Sequence, residues 1–317
     1  MDKYASTIFM GGVGNMMFQA AMLHSYCKKY GYDCVLTTNH TGTLHNHPQE
    51  YKNNIFHNLK FLQSSEDKWH LCEEPQENKP CKYTKLENLG VDNILFKGFF
   101  QSYKYFEEDL SEVQALFSPD DVTLNRLKLE YPFLFKEEYV SLHVRRGNYT
   151  TLSQFHHNLS LGYYKNSIDY FRGYKFLVFS DDIEWCKKHF RGEEFTFIGS
   201  KDDYIDLYLM SYCKHHIIAN STFSWWGAHL NPSKDKIVIH PNKWFGEANN
   251  SLDISDLYPP TWVCLDENFP KATINLMGGV CKHLTKPNGR WSTVHGKISS
   301  NLRIVRNYSS FKGVSIF

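Results

Sequence analysis

The chain has 317 residues, which at roughly 150 per domain is enough for two domains with separate cores. Its 35 Lys and Arg against 34 Asp and Glu leave a formal net charge of +1, so no global positive field exists to hold a nucleic acid by counterion release. With 42% hydrophobic and 16% aromatic residues it is far too apolar for a disordered chain and rich in flat, sugar-sized surfaces.

The first apolar stretch, Ile8 to Met22, is broken by glycines, Asn15 and Gln19, and no window reaches the roughly 18 apolar residues of a membrane span. Neither a signal peptide nor an anchor is expected. Eight cysteines are spread along the chain without a C-x-x-C pair, which reads as free thiols in a reducing compartment. Of the N-x-S/T sequons at Asn39, Asn148, Asn158, Asn220, Asn249 and Asn307, two fall among the candidate site residues below, where a glycan would block the site. A soluble, cytoplasmic protein is therefore expected.

Short β-branched or aromatic runs alternate with amphipathic stretches, the pattern of parallel sheets covered by helices. Thr7 to Met10 predicts a strand, Gly11 to Gly14 a tight loop, Asn15 to Tyr30 a helix ended by Gly31, and Cys34 to Thr37 the next strand. After a polar stretch, Asn93 to Tyr105 predicts a strand-like run. Ser118, Pro119, Asp120 and Asp121 then form a helix start, with a hydroxyl cap, proline in the first turn and acids at the positive end of the dipole. A domain boundary is placed just after that helix, near Tyr131 and Pro132.

A second series follows: strand Tyr139 to Val144, helix Leu161 to Phe171, strand Lys175 to Phe179, helix Ile183 to Phe190 and helix Asp203 to Cys213. It continues with strand His216 to Ala219, a helix beginning near Ser221 and strand Lys236 to His240. The division is thus residues 1–132, residues 133–266 and a C-terminal extension, 267–317. In the extension, Gly278-Gly279, Pro287-Asn288-Gly289 and the alternation from Lys297 to Val305 predict a small β-hairpin appendage. Two α/β halves facing each other would place a ligand between the carboxyl ends of their strands.

The loop Gly11-Gly12-Val13-Gly14-Asn15 joins a strand to a helix, where small residues let backbone amides approach a phosphate or sugar. A nicotinamide fingerprint would want a small residue at Met17 and an acid near Thr37, Thr38 or Asn39, and both are missing. A tight turn that needs glycine for its own backbone is the alternative explanation of the same loop.

Within Ser141-Leu142-His143-Val144-Arg145-Arg146-Gly147-Asn148-Tyr149, two arginines directly follow a buried-looking strand, which is costly unless an anion meets them. A diphosphate fits, since guanidinium forks bind its oxygens bidentately and stabilise the charge on a departing nucleoside diphosphate. An inter-domain salt bridge to a pair of carboxylates is the alternative. Asn220, Ser221, Thr222 and Ser224 open a predicted helix, whose free amides and dipole favour phosphate, although a plain cap before the buried pair Trp225-Trp226 has the same appearance. Asp181 and Asp182 end another strand, where a carboxylate can accept hydrogen bonds from a base or ribose or simply cap a helix. No D-x-D, H-E-x-x-H or G-x-S-x-G occurs, and no metal or hydrolase nucleophile is expected.

In this order, GGVGNMMFQAA, GFFQSYKYF, SLHVRRGNY, FSDDIEWCK, IIANSTFSWWGAHL and HPNKWF resemble glycosyltransferase family 11, the galactoside alpha-1,2-fucosyltransferases, over residues 8–266. The resemblance implies a GT-B-like α/β fold with two Rossmann-like domains facing a cleft, acceptor side first and donor side second. It also implies GDP-fucose as donor, an acceptor glycan, inversion at the sugar carbon and no metal cofactor. By that likeness Arg145 meets the diphosphate, His143 lies near the base, and Arg146 braces the site through the second domain. Ser221, Thr222 and Ser224 stand beside the phosphates with Asn220, and Asp181 or Asp182 partners guanine or ribose. Gly12, Gly14 and Asn15 approach fucose from the opposite domain. Gln101, Tyr103 and Tyr149 are acceptor-side candidates.

Two positions depart from the family pattern, Met16 where glutamine is common and Asn148 where aspartate is common. An amide cannot take a proton from an acceptor hydroxyl, so the base lies elsewhere or turnover is slowed, and His157 is the stand-in considered. A nucleotide-sugar or glycan binding protein with lost turnover is the competing reading that Asn148 keeps open, and a transferase using another nucleotide sugar is a third.

Overall fold

The computed structural model describes residues 3–37, 41–45, 47–62, 68–75, 81–266, 271–276, 280–285 and 292–293. The N-terminal part contains strands β1 (Tyr4–Thr7) and β2 (Phe9–Gly11), helix α1 (Val13–Tyr30), and strands β3 (Asp33–Cys34), β4 (Leu36–Thr37), β5 (Thr41–Leu44) and β6 (Phe61–Leu62). Strands β7 (His70–Glu73) and β8 (Asn93–Lys97) and helices α2 (Leu110–Leu116) and α3 (Asp121–Glu130) complete it. A parallel sheet runs in the order β3-β1-β8-β7, with short parallel pairs β2-β5 and β4-β6 beside it.

The later part continues with β9 (Tyr139–Val144), α4 (Leu161–Tyr170), β10 (Lys175–Ser180), α5 (Ile183–His189), β11 (Phe195–Ile198) and α6 (Asp203–Ser211). Strand β12 (His215–Ile217), helix α7 (Thr222–His229) and strands β13 (Val238–Pro241) and β14 (Val263–Leu265) follow, and then β15 (Lys271–Leu276), β16 (Val280–Thr285) and β17 (Ser292–Thr293). The sheet order is β11-β10-β9-β12-β13-β14-β15-β16-β17, parallel through β14 and antiparallel beyond it. Every residue of β9 is buried, as a central strand covered on both faces requires.

Several expected boundaries shift for local reasons. The strand expected over Thr7 to Met10 divides into β1 and β2, because the buried Gln19 amide accepts from Met10 N at 3.1 Å and donates to Met10 O at 3.4 Å, satisfying that backbone outside the main sheet. The run from Asn93 is a strand only to Lys97. There the Glu74 carboxylate accepts from Phe99 N and Phe100 N (2.8 and 3.1 Å), and Phe100 sits at φ 50°. Those bonds hold a left-handed turn that a phenylalanine rarely adopts alone.

The cap of α3 is Asp120, which accepts from Thr123 N at 2.8 Å, while Ser118 turns back to donate to Ala115 O. Gly31 ends α1 as expected, at φ 71° with its amide on Cys27 O at 2.9 Å. In the extension the hairpin β15-β16 extends the large sheet through β14, and the alternation expected from Lys297 to Val305 lies outside the described residues.

One apolar core joins the two parts. Phe18 on α1 lies 4.5 Å from Trp225 and 5.2 Å from Trp226 on α7, and Phe106 and Phe117 close on Trp226 at 5.5 and 5.2 Å. Helices α1 and α7 meet so closely that a Cβ on Gly14 would stand 2.5 Å from the Thr222 carbonyl carbon and 2.6 Å from Phe223 N. This contact brings the start of α1 beside the start of α7.

Candidate active site

A cleft of about 740 Å³ opens where those helix starts face the ends of β9 and β10. From the first part it is lined by Gly12, Gly14, Asn15, His45, Tyr51, Phe99 and Gln101. From the second come His143, Arg145, Asn148, Tyr149, His156, Asp181, Asp203, Asp206, Ser221 and Thr222, with Phe223, Trp244 and Phe245 among the apolar walls.

The register Val144↔Ser180 places the residues that follow β9 beside those that follow β10. Arg145 Nη1 lies 2.8 Å from Asp181 Oδ2, its Nη2 donates to Asn148 Oδ1 at 2.8 Å, and its guanidinium stands 5.1 Å from the Tyr149 ring centre. Asp181 Oδ1 accepts from Arg146 N at 2.8 Å, so both of its oxygens are engaged. Gly147 is needed here, because a Cβ would sit 2.3 Å from Asp181 Oδ2. The arginine pair does meet a carboxylate pair, but within one sheet rather than between domains.

Asn15 connects three elements. Its Oδ1 accepts from Gln101 Nε2 and from Thr222 Oγ1, each at 2.8 Å. His143 is almost fully buried at the end of β9, and its Nδ1 has no partner. Burial, with Arg145 nearby, pushes its imidazole down to about 3, so the ring is neutral and can exchange hydrogen bonds with a ligand.

Six expected residues do not line the cleft. Arg146 turns behind it, with Nε 3.1 Å from Asp182 Oδ2 and its guanidinium 4.3 Å over Trp185, while Asp182 also caps α5 through Trp185 N at 3.2 Å. Those bonds leave Asp182 facing α5 instead of a ligand. Asn220 is buried and donates to His157 O and Trp244 O, both at 2.8 Å, fastening two wall segments. Ser224 folds back onto Ser221 O at 3.3 Å within the first turn of α7. Tyr103, in the 3-10 turn Tyr103–Tyr105, packs against the apolar core. His157 does not line the cleft; its neighbour His156 does, with its ring stacked on Tyr149 at 4.1 Å.

Sequence reasoning did not single out His45, Tyr51, His156, Asp203 or Asp206. Tyr51 donates to Asp203 Oδ2 at 2.6 Å, and Asp206 accepts from Ser200 Oγ at 2.6 Å. Burial raises the Asp203 carboxyl and pushes Asp206 up to about 6. These acids stand inside an ordinary-looking helix, and only the packing of α6 against the cleft marks them. Among the described residues, no three His, Cys, Asp or Glu side chains converge to hold a metal ion.

The Glycosyl transferase family 11 model matches residues 73–266, and an alpha-1,2-colitosyltransferase of Escherichia coli is 32% identical over 290 residues, 81% of this chain and 97% of its own. The chain belongs to glycosyltransferase family 11. Two further similarities bear on this membership. The Escherichia coli O-antigen biosynthesis glycosyltransferase WbnK is 45% identical over 122 residues, 35% of this chain and 40% of that one. A galactoside alpha-(1,2)-fucosyltransferase 1 of Alouatta belzebul is 27% identical over 168 residues, 47% of this chain and 45% of its own.

Among solved structures, NodZ alpha-1,6-fucosyltransferase co-crystallized with GDP superposes with a TM-score of 0.51 at 12% identity, over 73% of this chain and 93% of that one. The fold of this family 11 chain is accordingly of the GT-B type, an α/β arrangement with parallel sheets flanking the cleft. No helix among its described residues is long and apolar enough to cross a membrane.

Proposed function

We propose that this glycosyltransferase moves L-fucose from GDP-fucose to a hydroxyl of a galactoside-type acceptor glycan, in alpha-1,2 linkage and with inversion. The observation that carries the reading is the position of Arg145, which lines the same cleft as Ser221 and Thr222 at the start of α7. One guanidinium and the free amides of a helix start supply positive potential where a diphosphate leaving group needs it. Gly12, Gly14 and Asn15 line the cleft beside Thr222, and to them we assign the place where sugar and acceptor meet, with Gln101 and Tyr149 on the acceptor side. The fucosyl donor is further supported by the alpha-1,2-fucosyltransferase relative.

Colitose in place of fucose is the second reading, favoured by the colitosyltransferase similarity over 97% of that protein. The purified chain, offered GDP-fucose or GDP-colitose with labelled galactosides, should release GDP and give a product of the corresponding added mass. GDP-fucose turnover supports the first reading, turnover only with GDP-colitose the second. Donor binding without any transfer would make the chain a binding protein.

A further inference from the structure

We propose that His156 is the general base that takes the proton from the acceptor hydroxyl, an assignment that rests on the glycosyl-transfer reading above. A displacement at the sugar carbon needs such a group, and Asn148 cannot serve, because an amide does not accept a proton near neutral pH and its Oδ1 already receives Arg145 Nη2 at 2.8 Å. Most other titratable side chains of the cleft are engaged. Asp181 is held by Arg145 and by Arg146 N, Asp203 accepts from Tyr51, and Asp206 accepts from Ser200. His143 is buried at the end of β9, and burial raises the phenols of Tyr51 and Tyr149.

His156 is different in both place and rigidity. Its ring stacks on Tyr149 with centres 4.1 Å apart and planes 7° apart, and the Arg145 guanidinium lies 5.1 Å from the centre of that same tyrosine ring. The imidazole is thereby fixed against Tyr149, the ring assigned above to the acceptor side. Its backbone forms an antiparallel bridge with Phe245, and Gly246 N donates to Phe155 O at 2.9 Å. A Cβ on Gly246 would strike Ser153 O at 2.3 Å, so glycine is what lets this loop seat. Asn158 Nδ2 donates to Tyr149 O at 3.0 Å, and Asn220 secures the His157 carbonyl. A base held this firmly needs little reorganisation when the acceptor arrives.

The charged and titratable groups facing His156 are Arg145 and Tyr149 from its own side and His45 from the other, where His45 N donates to Gly11 O at 3.1 Å. Burial, then Arg145, then His45 hold the imidazole below the usual histidine range, so it is neutral at pH 7 and ready to accept. In the step, the acceptor oxygen forms its bond to the anomeric carbon while its proton passes to an imidazole nitrogen. The bond from anomeric carbon to phosphate oxygen breaks, and its electron pair leaves with GDP beside Arg145. The imidazolium then returns its proton to water, so one proton is released per turnover.

The test compares wild type, His156→Phe, which keeps the stack on Tyr149, and His156→Gln. GDP-fucose binding is read by thermal shift and GDP release at saturating acceptor from about pH 5 to about 9. Both variants are expected to bind donor as wild type does while kcat falls roughly 100-fold to 10,000-fold and its acidic limb disappears. Near-wild-type kcat, or an acidic limb retained in His156→Phe, overturns the assignment. Loss of the limb in Asp206→Asn but not in His156→Phe moves the role to Asp206. Wild type that neither binds nor turns over any donor instead overturns the transfer reading itself.

Discussion

Arg145 and Asp181 form an ion pair of 2.8 Å whose members follow adjacent parallel strands, β9 and β10. The aspartate aims the guanidinium, and the guanidinium borders the cleft. Arg145→Ala is expected to abolish transfer in a folded protein, since a diphosphate deprived of its bidentate partner forfeits on the order of 2 to 5 kcal/mol. Arg145→Lys should restore little, because an ammonium lacks the fork. GDP release assays on variants with wild-type melting curves decide it, and near-wild-type activity in Arg145→Ala would remove the arginine from the mechanism.

Asn148 accepts from Arg145 at 2.8 Å, which is an orienting role. Asn148→Asp should therefore leave the rate little changed or lower it, by adding negative charge where the diphosphate would bind. A rise in kcat of roughly 100-fold or more would mean that a carboxylate base is missing from the natural protein.

Gly14→Ala tests the seam between α1 and α7. Helix propensity alone would favour alanine by about 1 kcal/mol, but the added methyl meets Thr222 and Phe223 backbone at 2.5 and 2.6 Å. The clash should win, costing about 1 to 3 kcal/mol of stability and lowering Tm by several degrees. An unchanged Tm would show that the helices separate without penalty.

Five buried histidines are expected to make the fold acid-sensitive. Burial pushes His143 down to about 3 and His215 and His240 to about 4, and holds His216 and His229 well below 6.5. Their unfolded forms gain protons near pH 6.5 while the folded forms do not, so stability is full above that pH and falls as the pH drops toward 4. Each histidine adds a slope of about 1.4 kcal/mol per pH unit across that window. Denaturant midpoints that stay flat between about pH 6.5 and 4.5 would contradict these neutral interiors.

Transfer is expected to persist in excess EDTA, since the positive charge for the leaving group is assigned to Arg145 and the start of α7. Complete loss, restored by manganese or magnesium, would place a cation in the reaction.

Much of this protein is legible without coordinates because the signals are local. The apolar run Tyr139 to Val144, the glycine that ends α1 and most of the strand and helix order after residue 133 follow from side-chain patterning and backbone preference, whereas the short strands β11 and β14 are not expected from it. The arginine pair and the hydroxyls after β12 are visible as polar groups at strand ends, where parallel sheets present ligands.

Tertiary structure alone decided which of two adjacent residues faces the cleft. Arg145 rather than Arg146, Asp181 rather than Asp182 and His156 rather than His157 line the cleft, held there by strand register, by the α5 cap on Asp182 and by the stack of His156 on Tyr149. Sequence spacing cannot make that choice, because neighbours on an irregular loop point wherever their long-range hydrogen bonds send them. The same holds for His45, Asp203 and Asp206, which line the cleft together with residues far from them along the chain. Contacts so distant along the chain leave no periodic trace in it.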